Sequence, residues 1–387
     1  MTRNGQGSIS STLRIVHVVG ARPNFIKLAP VYVALKGPDI EQFLVHTGQH
    51  YSSNLSDVFF TELGIPSPDV NLGVGSGSHT QQTARTMERL ENVLESRKPD
   101  LVLVYGDVNS TVAAALVCAK ALVPLGHVEA GLRSFDRTMP EEINRLLTDQ
   151  LASLLFTPST EGDYNLLREG VPQSKIFRVG NVMIDTLVRL LVHARRPSGF
   201  ELPPIYVLVT LHRPSNVDER EWLNSLLEAL SEISRELPVV FPIHPRTRLR
   251  IQEFGLKVAD GSLLLTEPLP YLEFLYLQKN AAAVVTDSGG VQEETTYLGT
   301  PCLTIRDNTE RPVTVEVGTN TLVGRNCHEL VSKIREILAG RYKKGSLPEL
   351  WDGLAAVRIA QVIRRCFLPN QSLYVSAGSI RGKYNAP

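Results

Sequence analysis

The chain has 387 residues, beyond the size at which one hydrophobic core keeps growing, so two domains are expected. Lys+Arg and Asp+Glu each total 40, a balance that removes any bulk electrostatic case for nucleic acid or a membrane surface as partner. No apolar run approaches the roughly 20 residues of a membrane span, and the cysteines (Cys118, Cys302, Cys327, Cys366) have neither metal nor redox spacing, so a reducing, cytoplasmic setting without a metal site is expected.

Residues 1–12 are polar and rich in Gly and Ser, with no apolar signal-peptide core, and are expected to be a disordered lead-in. From Leu13 short apolar runs (LRIVHVVG, QFLVH, LVLVYGD, PLGHVEA, SLLFTPS, KIFRVGN) alternate with helical stretches such as NFIKLAPVYVALK and TVAAALVCAKAL. Strands that are apolar on both faces and separated by helices form a parallel sheet covered on both sides, so residues 13–196 are expected to make one doubly wound α/β domain. The linker RRPSGFELPP carries the Pro/Gly density of a boundary. A second Rossmann-like α/β series, expected over 203–347, runs through IYVLVTLH, PVVFPIHP, SLLLTEP, AAAVVTD and PCLTI. An apolar helix over 348–367 is expected to return to the first domain, followed by a polar tail over 368–387.

Two open parallel sheets set edge to edge place the carboxyl ends of their strands, and hence their ligands, at the cleft between them. The residues just after the strands are therefore the candidates. Gly20-Ala21-Arg22-Pro23 opens a helix whose free N–H groups and Arg22 fork suit a phosphate, although an ordinary strand-to-helix turn reads the same way. Ser288-Gly289-Gly290 likewise precedes a helix; Glu294, one turn in, is placed to accept the two hydroxyls of a ribose. Two His-plus-Arg tips, His212-Arg213 and His244-Pro245-Arg246, suit a diphosphate better than a core. Neither a dinucleotide G-x-G-x-x-G nor a Walker lysine loop is present.

Acid and base candidates crowd the first half. Asp107 ends strand LVLVYG, where it can also serve simply to hold a turn. Glu129 ends strand PLGHVEA, a costly place for a carboxylate unless it is paired. Pro140-Glu141-Glu142 begins a helix as prolines and acids commonly do, and Arg145, one turn on, is expected to pin the Glu141 carboxylate towards the cleft. Arg133, Asp136 and Arg137 are expected in a loop over the pocket.

The segments GARPNFIKLAPV, TGQHY, YGDVNST, HVEAGLR, PEEINR, LHRPSN, HPRTR and TDSGGVQEE, in this order, resemble the non-hydrolysing UDP-N-acetylglucosamine 2-epimerase family from about Leu13 to Cys366. The resemblance implies a GT-B fold of two Rossmann-like domains, usually homodimeric, and interconversion of UDP-N-acetylglucosamine and UDP-N-acetylmannosamine without an added cofactor. It implies elimination and re-addition of UDP through 2-acetamidoglucal. By the same matching, Asp107, Glu129, Glu141 and His212 fall on catalytic positions. Arg22, Arg145, Arg213, His244, Ser288, Gly289, Gly290, Glu294 and Arg311 are assigned to UDP and phosphate, and Gln49 and His50 to a possible second site. Ser52 and Ser215 depart from the family pattern, and the loop between Glu129 and Glu141 is shorter than in common members. Related loops occur in epimerases of other UDP-amino sugars, which, with a GT-B glycosyltransferase, are the alternatives.

Overall fold

The computed structural model describes residues 12–49, 57–258 and 263–369. Strand β1 (Leu13–Val19) is followed by α1 (Arg22–Ala34), β2 (Ile40–His46), α2 (Asp57–Leu63), β3 (Val70–Asn71), α3 (His79–Arg97), β4 (Leu101–Tyr105), α4 (Asn109–Ala121), β5 (Leu125–Val128), α5 (Pro140–Leu151), β6 (Leu154–Thr157), α6 (Thr160–Arg168), β7 (Ile176–Arg178) and α7 (Val182–Leu191). The second series is β8 (Val207–Thr210), α8 (Pro214–Val217), α9 (Arg220–Ser234), β9 (Val239–Pro242), α10 (Pro245–Glu253), β10 (Leu263–Thr266), α11 (Tyr271–Asn280), β11 (Ala283–Thr286), α12 (Gly289–Leu298), β12 (Cys302–Thr304), α13 (Pro312–Glu316), β13 (Asn320–Leu322), α14 (Cys327–Leu338) and α15 (Ala355–Phe367).

The strands form two all-parallel sheets, ordered β3-β2-β1-β4-β5-β6-β7 and β10-β9-β8-β11-β12-β13. This is the expected pair of Rossmann-like layers in the GT-B arrangement. The central strands are buried throughout, as in β4 (LVLVY), because helices cover both faces. Strand order reverses between β1 and β4 in one sheet and between β8 and β11 in the other. The crevice at such a switch point is where the loops after neighbouring strands diverge and a ligand fits. Gly20 and Asp107 follow the first pair; His212 and Ser288 follow the second.

The helix expected over 348–367 begins only at Ala355, because Leu350 and Gly353 both adopt positive φ (63° and 78°) and break any earlier turn. α15 packs on α1 and α7, and Ile359 and Ile363 join the core of the first domain. Its first amides are held by Asp185 of α7, whose oxygens accept from Ala355 N (3.1 Å) and Ala356 N (2.6 Å). Burial pushes the Asp185 carboxyl up to about 6, so the cap works against a desolvation cost. No described helix is long and apolar enough to cross a membrane.

Asp185→Ala leaves two helix-start N–H groups without their acceptor and is expected to cost about 1–3 kcal/mol. Urea unfolding at pH 7 measures it.

Candidate active site in the interdomain cleft

A cleft of about 760 Å³ lies between the domains. Asp136, Thr138 and Glu141 line one wall, and His212, Arg213 and Asn308 the other. Of the sequence-predicted site residues, Glu141, His212 and Arg213 line it; Asp107, Glu129, Arg311 and the start of α12 lie outside its lining, and several pairings differ from expectation.

Glu129 stands at the end of β5, 6% exposed, with φ of +74°. A non-glycine residue held in the left-handed region stores strain that the surrounding structure must enforce. Two cations do so. Arg311 Nη2 donates to Glu129 Oε1 at 2.8 Å, and Lys27 Nζ forms a close ion pair with Oε2. Lys27 was not singled out from the sequence; a lysine inside the apolar helix run NFIKLAPV is the signal that it is buried against an acid.

Arg311 belongs to the second domain, so its bond to Glu129 crosses the cleft. It is also paired with Glu293 (Nε to Oε1, 2.8 Å) and with Glu310. Burial works against its charge, but Glu293, Glu310 and Glu129 together hold its pKa well above the ordinary value. Gly289 lies directly beneath it: a Cβ there would meet Arg311 Nη1 and displace the guanidinium from its present position. The guanidinium thus lies against the start of α12, where Gly289 and Gly290 occupy the first helical positions, whose N–H groups have no acceptor within the helix; the Ser288 N–H before them donates to Thr286 Oγ1 (3.0 Å). Glu310, pushed up by burial, is outweighed by Arg311 and Arg306 and held well below the usual carboxylate range.

Asp107, after β4, takes Arg145 Nη1 at 2.5 Å. Here the expectation for Arg145 is corrected: its remaining nitrogens go to Glu142 (Nη2 at 2.8 Å, Nε at 3.3 Å), and it does not pin Glu141. Positions 142, 145, 148 and 149 of α5 face inward, whereas Glu141 turns to the cleft. Arg133 is likewise corrected. It is buried away from the pocket loop, bound by Glu169 (2.8 and 2.7 Å) and Asp149 (2.7 Å). Asp149 also takes His127 Nδ1 at 2.6 Å and Gly131 N at 3.1 Å, while His127 Nε2 meets the Gly106 carbonyl at 2.9 Å. This network fixes the turns that carry Asp107 and Glu129.

On the other wall His212 Nδ1 meets Asp287 Oδ1 at 2.9 Å. Asp287 also accepts from the backbone N of His212 and Arg213 and from Asn216 Nδ2. A carboxylate on Nδ1 fixes the tautomer and leaves Nε2 as the working atom. Burial would raise the Asp287 carboxyl, but His212 and these amides hold it below its ordinary value. His244 is the N-cap of α10, its Nδ1 accepting from Arg246 N (3.2 Å), with its ring centroid 5.6 Å from that of His212. Burial, then His212, lowers its pKa, so it stays neutral with Nε2–H available as a donor.

Arg213 lies 3.7 Å from Glu310, and burial, with Arg306 adding, lowers its pKa. Arg22 opens α1; burial lowers its pKa against the pull of Glu62 and of Tyr271 from the other domain. Glu294 does not present an open carboxylate: Tyr271 OH (2.7 Å) and Gln278 Nε2 (2.6 Å) occupy its two oxygens, and burial raises its pKa despite them. Gln49 Oε1 accepts from Ser110 N and Oγ (3.2 and 2.6 Å) and is built into the switch-point turn. His50 lies outside the described residues.

The sequence model of the UDP-N-acetylglucosamine 2-epimerase family matches residues 34–364. The chain belongs to the UDP-N-acetylglucosamine 2-epimerase family. It is 44% identical over 363 residues to a UDP-N-acetylglucosamine 2-epimerase of Methanocaldococcus jannaschii, covering 91% of this chain and 99% of the relative. It is 42% identical over 357 residues to UDP-2,3-diacetamido-2,3-dideoxy-D-glucuronate 2-epimerase of Pseudomonas aeruginosa, covering 91% and 100%. The crystal structure of Methanocaldococcus jannaschii UDP-GlcNAc 2-epimerase in complex with UDP-GlcNAc and UDP superimposes with a TM-score of 0.82 at 44% identity, covering 91% and 99%.

Glu293, 1% exposed, is raised by burial to about 7, against the opposing pull of Arg311. Its folded pKa exceeds the ordinary 4.5, so its contribution to stability is full below 4.5 and is lost as pH rises through about 7. Glu293→Gln has no such loss. Denaturant unfolding at pH 5 and pH 8 is therefore expected to show the variant gaining on the wild type at the higher pH.

Proposed function

We propose that the protein epimerises carbon 2 of a UDP-N-acetylhexosamine, interconverting UDP-N-acetylglucosamine and UDP-N-acetylmannosamine. The observation that carries the reading is the division of the cleft. Acid/base carboxylates (Asp107, Glu129, Glu141) end strands or begin a helix of one domain, while cations and a glycine-rich helix start face them from the other.

In the proposed reaction one carboxylate takes the carbon 2 proton while the bond from carbon 1 to the UDP oxygen breaks. The electron pair of the C–H bond becomes the C1–C2 double bond of 2-acetamidoglucal, and UDP leaves with the pair of the C–O bond. A second carboxylate returns a proton from the opposite face as UDP adds back. Atoms and electrons balance with no oxidant, so no redox cofactor enters. The negative charge developing on UDP is met by His212, Arg213, His244 and the start of α12, where fixed donors in a water-poor cleft are most effective. Lys27 and Arg311 each pair with one oxygen of Glu129 and so aim it. The free glycal is retained only if the domains stay closed during its lifetime. By the same family membership, the protein is proposed to act as a homodimer in solution.

A second substrate reading, UDP-2,3-diacetamido-2,3-dideoxy-D-glucuronate, is supported by the 42% identical relative that bears that name.

Incubation of the protein in deuterated water with each UDP-amino sugar, followed by proton NMR, is expected to show deuterium at carbon 2 of both recovered epimers of the true substrate. Absence of exchange from all of them would contradict the proposal. Asp107→Asn and Glu129→Gln are each expected to lower kcat by about 10²–10⁴-fold while KM changes little. Steady-state kinetics with the exchanging sugar checks both.

A further inference from the structure

An acid in the first turn of a helix usually points to solvent and favours the helix dipole. Glu142 of α5 does neither. It is 2% exposed, and its side chain turns back against the segment that precedes its own helix. Oε2 accepts from Ser134 N (2.9 Å) and Ser134 Oγ (2.9 Å); Oε1 accepts from Phe135 N (3.0 Å). The same Oε2 takes the Arg145 guanidinium, whose other arm reaches Asp107. Burial opposes the charge of Glu142, but the Ser134 amide and Arg145 hold its carboxyl below the ordinary value.

The segment it grips is under strain. Phe135 holds φ of +59° and is 75% exposed as a residue, so burial does little to offset the backbone cost, and its N–H bond to Glu142 helps retain it. Immediately beyond, Asp136 Oδ1 accepts from Thr138 N (2.9 Å) and Oγ1 (2.6 Å), and its carbonyl accepts from Met139 N (3.1 Å). Asp136, Thr138 and Met139 are the residues this loop contributes to the cleft wall.

We propose that Glu142 is a positioning residue that couples the pocket-lining loop 134–139 to the acid/base residue Asp107 through Arg145. One carboxylate holds both the loop backbone and the guanidinium that aims Asp107, so the carboxylate of Asp107 is in place only when the loop is. This assignment rests on the epimerase reading above. It makes loop 134–139 the element through which the sugar itself sets Asp107, and it separates the two neighbouring glutamates: Glu141 faces the sugar, whereas Glu142 acts through Arg145 and the loop.

The test is a double-mutant cycle of Glu142→Gln and Asp107→Asn on the full chain, read by carbon 2 deuterium uptake, with amide hydrogen exchange at Ser134 and Phe135 measured without substrate. Glu142→Gln alone is expected to lower kcat by about 10²-fold with KM within about 3-fold, and to lower it by less than about 3-fold further in the Asp107→Asn background, because the residues act as a unit. Exchange at the two amides is expected to quicken by at least about tenfold. Multiplicative losses in the double variant, or unchanged exchange at both amides, would overturn the proposal. If Glu142→Gln does not fold, Arg145→Lys takes its place in the kinetic cycle with the same expected kcat effects, while exchange at the two amides, still held by Glu142, is expected to match the wild type. A wild type inactive on every UDP-amino sugar would defeat the epimerase reading instead, and amide exchange would still decide whether Glu142 holds the loop.

Discussion

Arg311 joins the two domains through charge. It is anchored in its own domain by Glu293 and Glu310 and reaches across the cleft to Glu129. A buried guanidinium is expensive in isolation, and a buried carboxylate equally so; each is tolerated because the other is there. The consequence is geometric as well as energetic. Glu129, strained in its backbone, in one domain and the glycine-rich helix start of the other are held in register by one side chain. In the proposed function, a UDP diphosphate at the start of α12 would compete with these carboxylates for the guanidinium, which would link substrate entry to the freedom of Glu129.

Much of the fold was legible. Continuous β-branched runs such as LVLVYG and AAAVVT allow no solvent-facing side, and their alternation with helices leaves a parallel sheet as the arrangement that buries both faces. The rule that ligands gather at the carboxyl ends of strands points to Asp107, Glu129, His212 and Ser288; the first, third and fourth follow strands at the switch points, and Glu129 follows β5, the next strand along. The start of α15 was misjudged because Leu350 gives no sequence sign that it adopts a positive φ.

What local reading missed is partnership. Glu129 and Arg311 are 182 positions apart, and His212 and Asp287 are 75 apart. No helical or strand period connects such residues; the stacking of two domains joins the first pair, and the pairing of β8 with β11 in one sheet joins the second. The same limit explains Arg145, where one-turn spacing suggested Glu141 and the inward face of α5 chose Glu142 and Asp107 instead. Glu294 was assigned from its distance to a helix start, without knowledge that Tyr271 and Gln278 of α11 would close over it. Glu142 reads as a helix-start acid, and Lys27 draws no notice in the sequence, because burial, not residue type, gives them their roles.

In the proposed mechanism, proton removal at one wall of the cleft is tied to departure of UDP at the other. Positional isotope exchange addresses it directly, using substrate labelled with oxygen-18 in the bond between carbon 1 and the diphosphate. The account predicts that the label scrambles into the non-bridging oxygens of the β-phosphate in step with deuterium uptake at carbon 2. Deuterium uptake and epimerisation with the label still in the bridge would contradict it.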